Sequence, residues 1–420
     1  ARAWPPPAPE LALLGEALGR FGLLGEGEPE FTVLDGSGAA VGPDGAALPP
    51  EQLGAVPKAA HAAVPQAKVV LVLRTRSARE VAQLPEGLRL IAQSGAGFHG
   101  AVASCESPGG AAEALAAVPG AVALAVRGEG LFHVFGPSVG AAFVNAFYLE
   151  KTCRRQLLVG ARPCVEPAAE VWDHAKAQYA EDFAPGVEWP AVRAWLTGAD
   201  APAKEAAEEP GEQEWELRKA LSEAHKELNR RGLDELVWNH CSAKLGEGWL
   251  ITAGDRLWNS MEPEALMRKS ANCTADILHS AVYDAIPEAA AVVHTHTPAI
   301  EAVSCLKAGL LEPPGSEFAG RVAYHDWEGI SDDNQECQRV SGAIKGVPGC
   351  AALVLRNHGA ITFGASVQEA LERHLALDAA CRETLLATAP EAPGFALEEL
   401  SREPLWREHR PWVESRACPA

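Results

Sequence analysis

Apolar residues recur at helical spacing in two long stretches. Leu11, Leu14, Leu18 and Phe21 share one face of Glu10–Leu24, and Trp215, Leu217, Leu221, Ala224 and Leu228 share one face of Glu212–Arg231. Both are predicted amphipathic helices, the second ended by Gly232 where helices commonly stop. Short apolar runs predict buried strands at Phe31–Leu34, Lys68–Leu73, Gly120–Val126, Leu131–Phe135 and Ala289–Thr297, with another entering Leu353–Gly359. Gly36–Pro50 reads as a Gly/Pro-rich loop, and Pro57–Val64, Ser138–Leu158 and Ala161–Asp200 read as mainly helical. Thr197–Gly211 is small, acidic and Pro-bearing, which predicts a linker.

Two of the strands run into histidine. His294 and His296 are two residues apart, so they project from one face of a strand with Thr295 on the other. His358 ends the second such run, followed by Gly359, a residue that permits a tight turn. Neutral imidazole is a ligand for zinc and related ions, so His294, His296 and His358 form a candidate divalent-metal site. A lone H-x-H would be a weak signal in a chain with 13 His. The second strand-to-His segment strengthens it.

The halves of the chain repeat one another. Residues 118–127 match 347–356 without a gap, and residues 138–158 match 366–386, again without a gap. Alignment of Ala63-Val64-Pro65 with Ala285-Ile286-Pro287 extends the repeat upstream. This predicts a duplicated domain: residues 1–200, a linker at 201–211, and residues 212–420. In the first copy Arg74 and Arg76 stand where the second has His294 and His296, and Glu129 stands in the place of His358. Guanidinium has no lone pair to offer a cation, so the first copy lacks the ligand set. Arg74 and Arg76 are expected to fill its vacant pocket, paired with Glu129.

Composition narrows the function classes. The 420 residues carry a net charge of −20, which argues against a nucleic-acid or anionic-membrane partner. No apolar run approaches membrane-spanning length. The ten cysteines form no C-x-x-C, as expected for reduced thiols. The chain opens at Ala1-Arg2-Ala3 without Met, so trimming is expected; a cytoplasmic location is predicted, or an organellar one after loss of a targeting segment.

The runs Gly232–His240 (GLDELVWNH), His279–Tyr283, Ala291–Thr297, Val322–Asp326 and Leu355–Gly359 resemble the class II aldolase/adducin family, in one order over about 212–390. The resemblance implies an α/β fold: two tandem α/β/α class II aldolase-like domains, each around a mainly antiparallel sheet. It also implies that His294, His296 and His358 hold a divalent metal, usually zinc, that polarises a small hydroxycarbonyl or hydroxyacid. The expected activity is that of a metal-dependent lyase: aldol cleavage, decarboxylation or dehydration. The alternative is a non-catalytic adducin-like scaffold. The family's acid/base Glu, four residues before His279, is Ala275 here. That leaves Asp276, one residue along, and His325, beside Asp326, as candidate catalytic residues. Asn239, Ser242 and Asn272 are the candidate substrate-binding residues, and Tyr324 is either an oxyanion donor or a core tyrosine. Relatives assemble with metal sites at subunit interfaces, which implies a homodimer forming a pseudo-tetramer of domains.

Overall fold

The computed structural model describes residues 8–25, 28–34, 39–181, 186–199, 210–268, 273–331 and 334–388. They form two compact units: 8–90 with 97–156, and 91–96 with the described residues from 157 onward.

The first unit contains, in chain order, α1 (Ala8–Arg20), β1 (Phe31–Leu34), β2 (Ala40–Val41), β3 (Ala47–Leu48), α2 (Ala55–Ala63) and β4 (Val69–Leu73). It continues with α3 (Arg76–Gln83), β5 (Val102–Cys105), α4 (Ala111–Ala117), β6 (Ala123–Val126), β7 (Leu131–Gly136) and most of α5 (Val139–Val159). The sheet order is β3-β2-β1-β4-β7-β6-β5, antiparallel except for β5 beside β6. Val70, Leu124 and Phe135 from the strands bury against Val56 and Ala60 of α2 and Leu115 of α4. β2 and β3 lie in the segment expected to be a loop. Each is two residues long, too short to show a period, and they pair across a turn with Gly45 at φ +77°.

The second unit contains α6 (Ala169–Glu181), α7 (Glu188–Thr197), α8 (Glu212–Arg230), β8 (His240–Leu245), β9 (Gly248–Ile251), α9 (Cys273–Ala285) and β10 (Ala291–Thr295). After these come α10 (Pro298–Cys305), β11 (Val322–His325), α11 (Asn334–Lys345), β12 (Ala352–Leu355), β13 (Gly359–Gly364) and α12 (Val367–Ala387). Its sheet order is β11-β12-β13-β10-β8-β9, and only β11 and β12 run parallel. Read from the parallel end, the first sheet runs β5-β6-β7-β4-β1-β2, the same path. The helices follow suit: α5 and α12 are each 21 residues long and each follows the hairpin that closes its sheet.

The expected boundary at residue 200 differs from the observed division. Residues 157–199 belong to the second unit, through pairings with distant residues that no local pattern reveals. Val165 N donates to Cys305 O at 2.7 Å, Lys307 N donates to Pro163 O at 2.9 Å, and Trp172 packs edge-on against Trp327. The Gln178 amide both donates to and accepts from the Ile330 backbone. Of the expected linker, only residues 210 and 211 are among those described.

α8 departs from its simple apolar pattern. Leu221, Ala224 and Leu228 are buried as expected, but so are Glu214, Arg218, Ser222, His225 and Asn229. The polar row is matched group by group: Arg218 to Glu214 and the Leu266 carbonyl, Ser222 to the Met261 carbonyl, and His225 to the Leu221 carbonyl and Thr252.

Candidate metal centre

β10 is an apolar run, Ala-Val-Val, that ends in His294-Thr295, with every residue buried. Alternation sends His294 and His296 to one side. Thr295 points to the other, where its hydroxyl meets His374 Nε2 at 2.6 Å. Thr297 then caps α10 by accepting from Ile300 N, and Pro298 starts the helix, so the strand stops directly after the second histidine.

His358 arrives from the turn between β12 and β13. The residue in left-handed geometry there is Asn357, at φ +56°, not the glycine. Gly359 answers a different need: a Cβ on it would lie 2.5 Å from Thr295 O and 2.9 Å from the His296 ring. Asn357 is pinned by its amide, which donates to Ile91 O at 2.8 Å and Val165 O at 2.9 Å, while its own carbonyl accepts from Gln93 N at 2.7 Å. One turn therefore fixes His358 and draws residues 91–94 to the same place.

The three histidines converge. Their nearest ring nitrogens all lie within 4.8 Å of one another, and all three side chains are buried. His294 Nδ1 donates to Ala360 O at 3.0 Å, and His296 Nδ1 faces Glu235 Oε2 at 2.8 Å. A carbonyl and a carboxylate only accept, so both Nδ1 atoms carry protons and both Nε2 atoms point inward. Those two Nε2 atoms are 2.8 Å apart. Two unprotonated nitrogens would set lone pair against lone pair there, so the contact holds either a proton, as an Nε2–H···Nε2 hydrogen bond, or a shared cation; with His358 converging on the same point, the residues fit a metal ion. Glu235 behind His296 is the arrangement that holds a metal-ligating histidine in one tautomer. Burial first, then the neighbouring histidines, lower the His294 pKa well below its usual value, leaving the ligand form.

A fourth histidine joins them. His240 pairs with His294 across β8 and β10, and their ring centroids are 4.6 Å apart. Its Nδ1 lies 2.6 Å from His279 Nε2, and His279 Nδ1 contacts Ser242, which contacts Tyr283. Burial is the main cause that lowers both imidazoles, His279 to about 3.

The pocket around the triad is a cavity of about 30 Å³. Besides the four histidines it is lined by Gln93, Ser94, Tyr179, Glu235, Trp238, Thr274, Glu301 and Ile330, with no Lys or Arg among the described residues. Burial first, then Glu235, Glu188 and Glu301, raise the Tyr179 phenol far above its usual value, so it stays protonated. Burial likewise raises Glu188, which accepts from Trp238 Nε1 at 2.9 Å.

Of the residues singled out in the sequence, only the three metal ligands line this pocket. Asp276 sits half-buried in the first turn of α9, beside buried Ala275 and beside Thr274, which does face the pocket. His325 ends β11, and its nearest carboxylates are Glu328 and Glu336, at 3.5 and 3.7 Å, while Asp326 is exposed. Ser242 is occupied by His279 and Tyr283. Asn239 is buried with neither amide atom hydrogen-bonded among the described residues. Asn272 lies outside the described residues. Tyr324 is a core tyrosine: its hydroxyl accepts from Leu310 N at 3.0 Å, and its ring lies under the Arg356 guanidinium. Sequence reading missed His240, Tyr179, Glu235 and Glu301. His240 carried a usable signal, since it opens an apolar strand on the same side as His294, but the pairing of the strands was not visible.

In the first unit Arg74 makes its ion pair with Glu30, not with Glu129. Glu30 immediately precedes β1, whose antiparallel pairing with β4 brings it to that strand's end.

A domain with a mainly antiparallel sheet and a buried three-histidine cluster at two strand ends defines the class. Residues 219–385 match the family described as Class II Aldolase and Adducin N-terminal domain. Through this part of its length the chain belongs to the class II aldolase and adducin family. Similar proteins include alpha-adducin of Rattus norvegicus, 34% identical over 174 residues that cover 37% of this chain and 23% of the adducin. A class 2 aldolase protein of Pseudomonas aeruginosa is 29% identical over 192 residues, 41% of this chain and 72% of that one. Among solved structures, an aldolase II superfamily protein from Pseudomonas syringae is 30% identical with a TM-score of 0.40, covering 46% of this chain and 85% of that one. The chain thus spans about a quarter of the adducin it matches. Among the described residues no helix is long and apolar enough to cross a membrane.

Proposed function

We propose that the second unit is a divalent-metal lyase of the class II aldolase type, with zinc as the metal, acting on a small hydroxycarbonyl. The observation that carries this reading is the pair of inward Nε2 atoms 2.8 Å apart, each with its Nδ1 committed elsewhere. His294, His296 and His358 would hold the ion, and imidazole ligands favour zinc among common ions. The ion would supply Lewis-acid polarisation of a carbonyl. Glu235 orients His296, and the Ala360 carbonyl orients His294. Tyr179 offers a retained proton. Glu235 and Glu301 on the wall support a substrate that carries no negative charge.

The alternative, an adducin-like scaffold, draws support from Ala275 in the acid/base position and from the narrow cavity. The matching order of the two sheets supports a tandem duplication and, with it, two chains assembling as four domains with one metal site per chain and two in all. Native mass spectrometry that finds only monomer removes that assembly.

Elemental analysis of the purified chain beside His294→Ala and His358→Ala tests the metal. The expected result is about one metal ion per chain, lost in both variants. Equal metal content in all three would rule the site out.

A further inference from the structure

The reaction proposed above needs a group that moves the proton next to the carbonyl. The family's carboxylate is replaced by Ala275, which has no titratable atom. Resting on that reading, we propose that Glu301 of α10 is the catalytic acid/base, a carboxylate delivered from a different helix onto the same pocket.

Four observations lead there. First, Glu301 lines the pocket together with the triad. Second, it is 1% exposed on a helix whose other buried residues are mostly small or apolar, including Ala299, Ile300, Ala302 and Val303. A residue with packing as its only task would be apolar here. Third, the other carboxylate on the wall is already in use, because Glu235 is engaged by His296. Fourth, Glu301 is aimed: Ser94 Oγ donates to its Oε1 at 2.8 Å. Gln93, next to Ser94, accepts from Trp327 Nε1 at 2.9 Å and hydrogen-bonds Tyr179. Ser94 and Gln93 thus set a carboxylate and a phenol on the same wall.

The chemistry balances without a further reactant. A Glu301 oxygen takes the proton from the carbon between hydroxyl and carbonyl. The C–H electron pair becomes the C=C bond of an enediolate, and the carbonyl π pair moves onto oxygen. Return of the proton to carbon restores the substrate, so in D₂O the carbon acquires deuterium. Tyr179 is the adjacent hydrogen-bond donor for the developing oxyanion.

The test is α-proton exchange of dihydroxyacetone and of glycolaldehyde in D₂O, followed by ¹H NMR with the zinc-loaded full chain. Zinc content is measured in parallel. The expected result is wild-type exchange that falls at least about 10²-fold in Glu301→Gln, with zinc stoichiometry and thermal melt unchanged. Should Glu301→Gln fail to fold, Ser94→Ala decides. Loss of the hydrogen bond that positions the carboxylate should lower the exchange rate at least about tenfold at unchanged zinc content, with Ser94→Thr restoring it, and an unchanged rate counts against the assignment. Wild-type exchange that survives Glu301→Gln, or is abolished by Asp276→Asn instead, overturns the role of Glu301 and leaves the metal-lyase reading standing. A zinc-loaded wild type that exchanges neither probe overturns that reading and the Glu301 assignment together.

Discussion

Glu235 shows how much of the site depends on residues that never touch the metal position. Its carboxylate holds the His296 tautomer, and it is 4% exposed. Replacement by Gln offers His296 Nδ1 an uncharged acceptor, or after an amide flip a donor. Zinc affinity should then fall about 10- to 100-fold, read by competition with a colorimetric chelator. An unchanged affinity would mean that His296 is held by packing alone. At this scale the sequence was legible where chemistry is strand-local. The spacing of His294 and His296 needs only alternation, and His358 needs only a second strand of the same kind. Glu235 and Glu301 were illegible because their meaning is a distance: Glu301 matters through Ser94, which lies far off in the chain. The positive φ of Asn357 was hidden for a similar reason, since a glycine two residues on offered a simpler explanation for the turn.

Among the elements, α8 is the instructive case. Its apolar residues predicted a helix and its buried face correctly, yet that face also carries a row of polar side chains. Hydropathy patterns treat such residues as solvent-facing, and only their partners reveal otherwise. Glu214 is shared by Arg218 and Arg268 and is held below the usual carboxylate range, mainly by its hydrogen bond from Arg268. Glu214→Ala should cost about 2–3 kcal/mol, because buried Arg218 loses its charged partner. Glu216→Ala, which removes an exposed pair with Lys219, should cost under about 0.5 kcal/mol. Urea denaturation of the two variants measures the difference, and equal midpoints would mean that the buried row contributes nothing. β5, β8, β9, β11 and β13 drew no expectation from the sequence, whereas β1, β4, β6, β7, β10 and β12, with α1, α5 and α8, were legible because each is a single apolar period. The β2–β3 hairpin was not, since two residues cannot display a period.

For the whole molecule, buried histidines set the acid limit. Burial lowers His225 to about 4 and His374 to about 3, both from 6.5. The unfolded chain therefore takes up these protons first as pH falls, so stability is full above about pH 6.5 and declines toward pH 4. Each group contributes a slope of about 1.4 kcal/mol per pH unit. Urea midpoints of metal-free protein at pH 7, 6 and 5 should fall in that order; a flat series would contradict it. The like strand order of the two sheets was legible in outline from the internal sequence matches, and the boundary between the units was not, because residues 157–199 pair with partners far along the chain. That boundary bears on the electrical environment of the site. Gln93, Ser94 and Tyr179 all precede the linker in sequence yet form one wall of the pocket. A chain cut between residues 199 and 210 keeps every wall residue, whereas a fragment beginning at residue 212 lacks three of them and keeps all three imidazoles. Water would take their place, the local dielectric constant would rise, and the Glu301 carboxylate would lose the Ser94 hydroxyl that holds it.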